Sequence, residues 1–189
     1  MTPTRAHADG LRCACAARAM CAETLEEISF ASSARGFAAN GNARALEARL
    51  KRDAADGRAR IACDGYTPLH YAARNGDVTC VMMCLEHGFD VEAQTTAGHA
   101  TALHKAASGG REGAIRALLS AGANARARDV DGEYALHKAA KSGDVASVMA
   151  LMNAAKDVAK ERDGRGRLAR DVATNDATRA ALDQATATI

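Results

Sequence analysis

Histidine and cysteine are the residues of this 189-residue chain whose type and placement invite a chemical role. His70, His104 and His137 stand in LHYAARNG, LHKAASGG and LHKAAKSG, at intervals of 34 and 33 residues. Together they could ligate a metal or relay a proton, but only if they met at one point. The spacing forbids it. The stretch TPLHYAARNGDVTCVMMCLEHGFDVEAQ, beginning at Thr67, falls on TALHKAASGGREGAIRALLSAGANARAR from Thr101 and on YALHKAAKSGDVASVMALMNAAKDVAKE from Tyr134. Self-similarity at that period marks a stack of repeated units, and one histidine per unit leaves them a stacking distance apart. Their role is therefore structural, and no catalytic residue or metal ligand is assigned to them. The Gly109–Gly110 pair is not followed by the GK[ST] of a phosphate loop, and no HExxH or Ser/His/Asp set occurs. Nothing supplies a nucleophile, a base and an orienting third group, so an enzyme is not expected and no cofactor is called for.

Five of the six cysteines fall into two groups. Cys13, Cys15 and Cys21, with His7 nearby, raise a zinc or redox site in the N-terminal tail; their CxC and five-residue gap is not a standard finger spacing. Cys80 and Cys84 fall within a helical stretch, where a thiol acts as a small apolar residue. No secretory core is visible, which favours reduced thiols and a cytoplasmic or nuclear location. Residues 1–22 are Arg- and Ala-rich with one acidic residue, a composition shared by flexible tails and by organelle transit peptides. Net charge is +2, aromatics make up 3% and Trp is absent, which argues against nucleic acid as a partner; no run is long enough to span a membrane.

The elements that carry these residues follow from the repeat. Thr67 is expected to cap a first helix with its hydroxyl, and Pro68 suits the first helical position. Ala72 and Ala73 allow close approach of the next unit, and Gly76 ends the helix in a left-handed conformation, a role repeated by Gly110 and Gly143. Asp77 caps a second helix whose inward face is predicted to be Val78, Val81, Met82 and Leu85. Ile115 and Val148 repeat Val81, and Leu119 and Met152 repeat Leu85. Gly88 stops that helix, and the chain from there to Gly98 should project as a hairpin finger. TTAGHA at 95–100 is one residue longer than its counterparts, and Tyr134 in place of the capping Thr should weaken its helix start by about 1 kcal/mol.

One unit cannot bury its apolar face alone, so 23–189 reads as one elongated domain. It comprises a degenerate N-terminal repeat at 23–61, full repeats at about 62–94, 95–128 and 129–161, and a C-terminal cap at 162–185. In the first repeat Gly41, Leu46 and Leu50 take the places of Gly76, Val81 and Leu85, and Ser32 to Arg35 replace TPLH. In the cap, Leu168 is matched to Leu69 and Val172 to an alanine position. Asp176 is expected to cap a closing helix over 176–184 with Ala181 and Leu182 inward, and the final ATATI to fray.

The TPLHxAA, GD and LxxxG positions recur at matching offsets, and this pattern resembles the ankyrin repeat family. From about Thr24 to Val172 the order of signatures, TLEEISF, GYTPLHYAARNG, AQTTAGHATALHKAASGG and LHKAAKSGD, is similar to a short family made almost wholly of such repeats with a Cys-containing tail. The resemblance implies an all-α solenoid of stacked helix–turn–helix units with short β-hairpin fingers, and a non-enzymatic protein-binding module, a scaffold or adaptor. It also implies that Tyr71, Lys105 and Lys138, and likewise Arg74, Ser108 and Lys141, face a concave groove. With Asn75 beside them, and Arg126, Arg128 and Arg170 extending the series, they form a largely basic ladder fit for an acidic partner protein; the same charges would serve equally as a solvated face. Tyr66 and Tyr71 are the expected anchors, with Glu133 at the rim position of Tyr66. A monomeric chain is expected, and an adaptor role in nuclear transcription or ubiquitin-ligase complexes rests on analogy with other ankyrin proteins.

Overall fold

The computed structural model describes residues 33–52 and 65–187. The tail cysteines, the TLEEISF segment and most of the charged stretch at 51–61 lie outside them. Among the described residues there are nine α-helices: α1 Ala34–Ala39, α2 Ala43–Arg52, α3 Pro68–Asn75, α4 Val78–Glu86, α5 Ala102–Ser108, α6 Glu112–Ser120, α7 Ala135–Ser142, α8 Val145–Ala154 and α9 Asp176–Ala187. Two 3-10 turns, η1 Lys156–Lys160 and η2 Ala169–Val172, join α8 to α9.

The helices form two rows. α1, α3, α5, α7 and η2 stack in the inner row, and α2, α4, α6, α8 and α9 in the outer. Alanine makes the inner row possible. Ala72 and Ala73, Ala106 and Ala107, and Ala139 and Ala140 are all fully buried, and Leu69, Leu103 and Leu136 are buried with them. A larger side chain at an alanine would force the helices apart.

The inward stripe of the outer row matches the expected one only in part. Val81, Ile115 and Val148 are buried as expected, and so is Leu46 in the first repeat. Val78 and Met82, however, are 41% and 43% exposed, and Cys80 and Cys84 fill the core instead. Their counterparts Ala114 and Leu118, and Ser147 and Leu151, are buried too. Because α4 is apolar on nearly every side, hydrophobicity alone does not mark its inward face.

Helix ends follow the glycine pattern. Gly76, Gly110 and Gly143 have φ of 83°, 62° and 79°. Asp77 and Asp144 cap α4 and α8 by accepting from the amides of Cys80 (3.1 Å) and Ser147 (2.9 Å). The same carboxylates also accept from the Cys80 thiol (3.3 Å) and the Ser147 hydroxyl (2.5 Å). In the middle unit Arg111 and Ala114 stand in these places, so cap and side-chain donor are lost together. The α1 start is capped by Ser33, which accepts from the Gly36 amide at 3.2 Å.

The fingers contain no strand among the described residues; one isolated bridge, Arg128 with Tyr134, is all that remains of the expected hairpins. Among the described residues three fingers are instead closed by their first residue. Asp129 accepts from the amides of Asp131 and Glu133, Asp163 from those of Arg165 and Arg167, and Thr95 from that of Ala100. The left-handed position before the finger's last residue is Gly65, Gly132 or Gly166 in three units. In the lengthened finger it is His99, at φ 49°. The extra residue is thus absorbed at the tip, at the cost of placing a side chain where glycine is favoured.

The last unit corrects the sequence register. The Leu168 amide donates to the Asp171 carboxylate (2.9 Å) as the Thr67 amide donates to His70 Nδ1 (3.2 Å). Leu168 therefore matches Thr67, Arg170 matches Leu69 and Val172 matches Tyr71. α9 is capped by Asn175, which accepts from the Thr178 amide at 2.8 Å, not by Asp176; it buries Leu182 and runs on to Ala187, through residues expected to fray. For the strained tip, His99→Gly should raise the urea midpoint, with a gain of about 1 kcal/mol; an unchanged midpoint in equilibrium unfolding would show that His99 carries no strain.

Candidate functional site

The three histidines sit at the third position of α3, α5 and α7, and each makes the same two contacts. Nδ1 accepts from the amide of the residue before the helix: Thr67 at 3.2 Å, Thr101 at 3.3 Å and Tyr134 at 3.4 Å. Nε2 lies 3.1–3.2 Å from a carbonyl oxygen in the next unit, of Ala100, Glu133 and Arg167 respectively. A carbonyl can only accept, so Nε2 carries the proton and the ring is neutral. Histidine, not the Thr hydroxyl, caps these helices; the Thr67 hydroxyl itself turns to Nδ1 at 2.8 Å. The Tyr134 unit is therefore capped like the others, while its phenol reaches Glu161 at 3.4 Å.

Burial is the main cause that lowers the pKa of His104 and of His137, with the carbonyl bonds from Glu133 and Arg167 opposing it. The two core thiols are pushed up to about 12, Cys80 by burial and then by Asp77, Cys84 by burial. They stay protonated and unreactive at neutral pH. Among the described residues no group of three or more His, Cys, Asp and Glu could hold a metal ion, and no helix is long and apolar enough to cross a membrane.

The residues expected to line the groove separate into two sets. The first lies just before α3, on α3 and on α5. Tyr66 and Tyr71 are half-buried with ring centroids 5.4 Å apart, Tyr66 is 5.6 Å from His70, and the Lys105 ammonium lies 4.7 Å over the Tyr66 ring. Arg74 and Ser108 are exposed beside them. Asn75 is a staple: its amide donates to the carbonyls of Ala38 and Ala39 in the preceding unit. Arg111 ties the next junction by donating to the Arg74 carbonyl at 3.4 Å.

The second set is not an open ladder. Glu133, expected at the rim, is 3% exposed, and its carboxylate is shared by Lys138 (2.8 Å), Lys141 and Arg167 (3.3 Å). Lys138 also binds Asp129 at 2.7 Å, and Arg167 binds Asp163 at 2.8 Å. Burial by itself would raise the Glu133 pKa, but Lys138 and Lys141 hold it below the ordinary carboxylate value. Burial likewise opposes the Lys138 charge, and Asp129 and Glu133 outweigh it and raise its pKa. Asp163 is lowered to about 2 by the Arg167 and Arg165 amides and the Arg167 guanidinium, against the effect of burial. The proposed extensions are engaged as well: Arg126 pairs with Asp157 at 2.8 Å, Arg128 donates to the Arg162 carbonyl and covers the Tyr134 ring, and Arg170 pairs with Asp183 at 2.9 Å. Sequence reasoning missed Asp129, Asp163 and Arg167. The signal was present in DVDGEY and DGRGRL, where an acidic residue opens each finger.

Stacked helix pairs, left-handed glycines and a histidine relay between units define a helical repeat solenoid. The family model for ankyrin repeats, in three copies, matches residues 36–129, and the chain is an ankyrin repeat protein. The structure carries the same elements beyond that match, through α7 and α8 and the reduced final unit. No curated protein matches the chain.

Acid should weaken this scaffold in two windows. His104 and His137 have lowered folded pKa values, so below their ordinary 6.5 the unfolded chain binds more protons and stability falls. Glu133, also lowered, adds a second loss as pH falls below its ordinary 4.5. Urea midpoints measured from pH 8 to 3.5 should be level at the top and decline in these two steps. His104→Ala should cost about 1–3 kcal/mol at pH 7.5 and flatten the first step; an undiminished first step would remove His104 from this account.

Proposed function

We propose that the chain is a protein-binding module whose contact surface is centred on Tyr66, Tyr71 and Lys105, with Arg74 and Ser108 at its edge. The observation that carries this reading is the contrast between units. Thr95 and Ala100 occupy the finger positions whose counterparts in the next unit, Asp129 and Glu133, bind Lys138. The Lys105 charge lies over an aromatic ring, while Lys138 and Lys141 are both paired with the buried Glu133 carboxylate. Two half-buried tyrosines with a cation above them offer the rigid, amphipathic surface that anchors protein contacts. Ankyrin repeats are in general protein–protein interaction modules without enzymatic activity, which supports the same class. An acidic partner would meet Arg74 and Lys105; Lys138, Lys141 and Glu133 would serve the scaffold behind it. The order of signatures likens the chain to ankyrin repeat domain-containing protein 39, and the inert buried thiols fit a cytoplasmic or nuclear setting.

The test is affinity purification from the native source with mass spectrometry. Arg74→Glu combined with Lys105→Glu should lose a defined partner by tenfold or more, about 1.4 kcal/mol, with little change in unfolding midpoint. Retention of the full partner set by this variant would overturn the reading. Lys138→Glu is the wrong probe, because it would put a third carboxylate beside Asp129 and Glu133 and destabilise the unit.

A further inference from the structure

The array ends in an open slot whose chemistry differs from the groove. A cavity of about 240 Å³ lies between η1, η2 and α9. Its apolar walls are Ala159, Leu168 and Leu182, and its polar lining is Lys160, Arg162, Arg170 and Asp183. The slot exists because of the substitution in the last unit: Arg170 stands where Leu69, Leu103 and Leu136 are buried under a following unit, and Asp171 stands where a histidine would donate onward. A charged residue in that position needs water or a counter-charge, and Arg170 finds the latter in Asp183 of α9.

We propose that this slot docks an acidic, aliphatic segment of a partner protein, with one aliphatic side chain against Leu168 and Leu182 and a carboxylate at Lys160 and Arg162. Charge complementarity selects the occupant. Three cations and one carboxylate line the slot, and that carboxylate, Asp183, is bound by Arg170. Lys160 and Arg162 have no carboxylate partner among the described residues; Arg162 donates to the Gly166 carbonyl at 2.5 Å. Both guanidiniums are therefore already engaged on one side, and the slot presents no open arginine fork of the kind that selects phosphate. The absence of aromatic walls excludes base stacking. A carboxylate on an apolar stem is the group that satisfies both the walls and the rim.

The proposal stands apart from the Tyr66–Lys105 surface, and its test reads a different part of the molecule. The full chain, labelled with ¹⁵N, is titrated with acetyl-Leu-Glu-Leu-Glu-amide, with its Gln counterpart acetyl-Leu-Gln-Leu-Gln-amide, and with inorganic phosphate. The Glu peptide should give saturable amide shifts at Ala159 to Arg162, Leu168 and Leu182, and the Gln peptide should bind about tenfold more weakly. Lys160→Glu, and more fully Lys160→Glu with Arg162→Glu, should remove the shifts while the urea midpoint stays in place. Equal response to both peptides, shifts that survive the double variant, or no saturable shift at all would overturn the proposal. A stronger response of the same amides to inorganic phosphate would overturn it in favour of a phosphate site.

Discussion

Every junction between the full units depends on one neutral imidazole. A histidine bonds backward to the amide that opens its own helix and forward to a carbonyl about 30 residues on. These two bonds satisfy a helix-start donor and a finger acceptor that would otherwise be buried without partners. They also require one tautomer. A second proton on Nδ1 would face an N–H, so protonation disrupts the cap even while the forward bond remains. The alanine pairs set the distance at which this works, because only small residues let α3, α5 and α7 come close enough for the ring to span the gap. Packing and hydrogen bonding are thus parts of one constraint.

Charge is distributed unevenly along the stack, and the distribution separates scaffold from surface. At the third full unit and its junction with the last, Asp129, Glu133 and Asp163 are matched by Lys138, Lys141 and Arg167 in a largely buried network. Such networks cost desolvation and add little to stability over an apolar junction, but removing one member leaves a buried charge and costs several kcal/mol, about 3–5. The network therefore fixes the fingers in place more than it strengthens the stack. Among the described residues no carboxylate pairs with Lys105, and there the aromatic pair and the cation remain at the surface.

Much of this architecture was legible in the sequence because glycine and alanine act through sterics. Gly76, Gly110 and Gly143 mark helix ends since few other residues accept their φ, and the paired alanines mark the stacked face. What could not be read there depended on partners distant in sequence or on a pattern without contrast. VTCVMMCLE is apolar on almost every side, so nothing in it shows that Cys80 and Cys84 point inward while Val78 and Met82 do not. The last unit lost both Thr and His, and only the Asp171 bond to the Leu168 amide reveals its register. Glu133 looked like a rim residue by position. Its burial follows from the way Asp129 folds the finger back onto Lys138, a local geometry that residue types alone do not announce.

The Asp171 substitution has a consequence for assembly as well as for folding. A solenoid grows by repetition, and a free end that still offered a donor and an apolar socket could accept the first unit of another copy, then another, as an open-ended filament. At Asp171 the side chain still accepts from its own helix start but has no hydrogen to hand on, and the neighbouring Arg170 is charged. In the language of polymer chemistry this is a chain terminator: two adjacent residues keep the repeat's form while removing its ability to propagate.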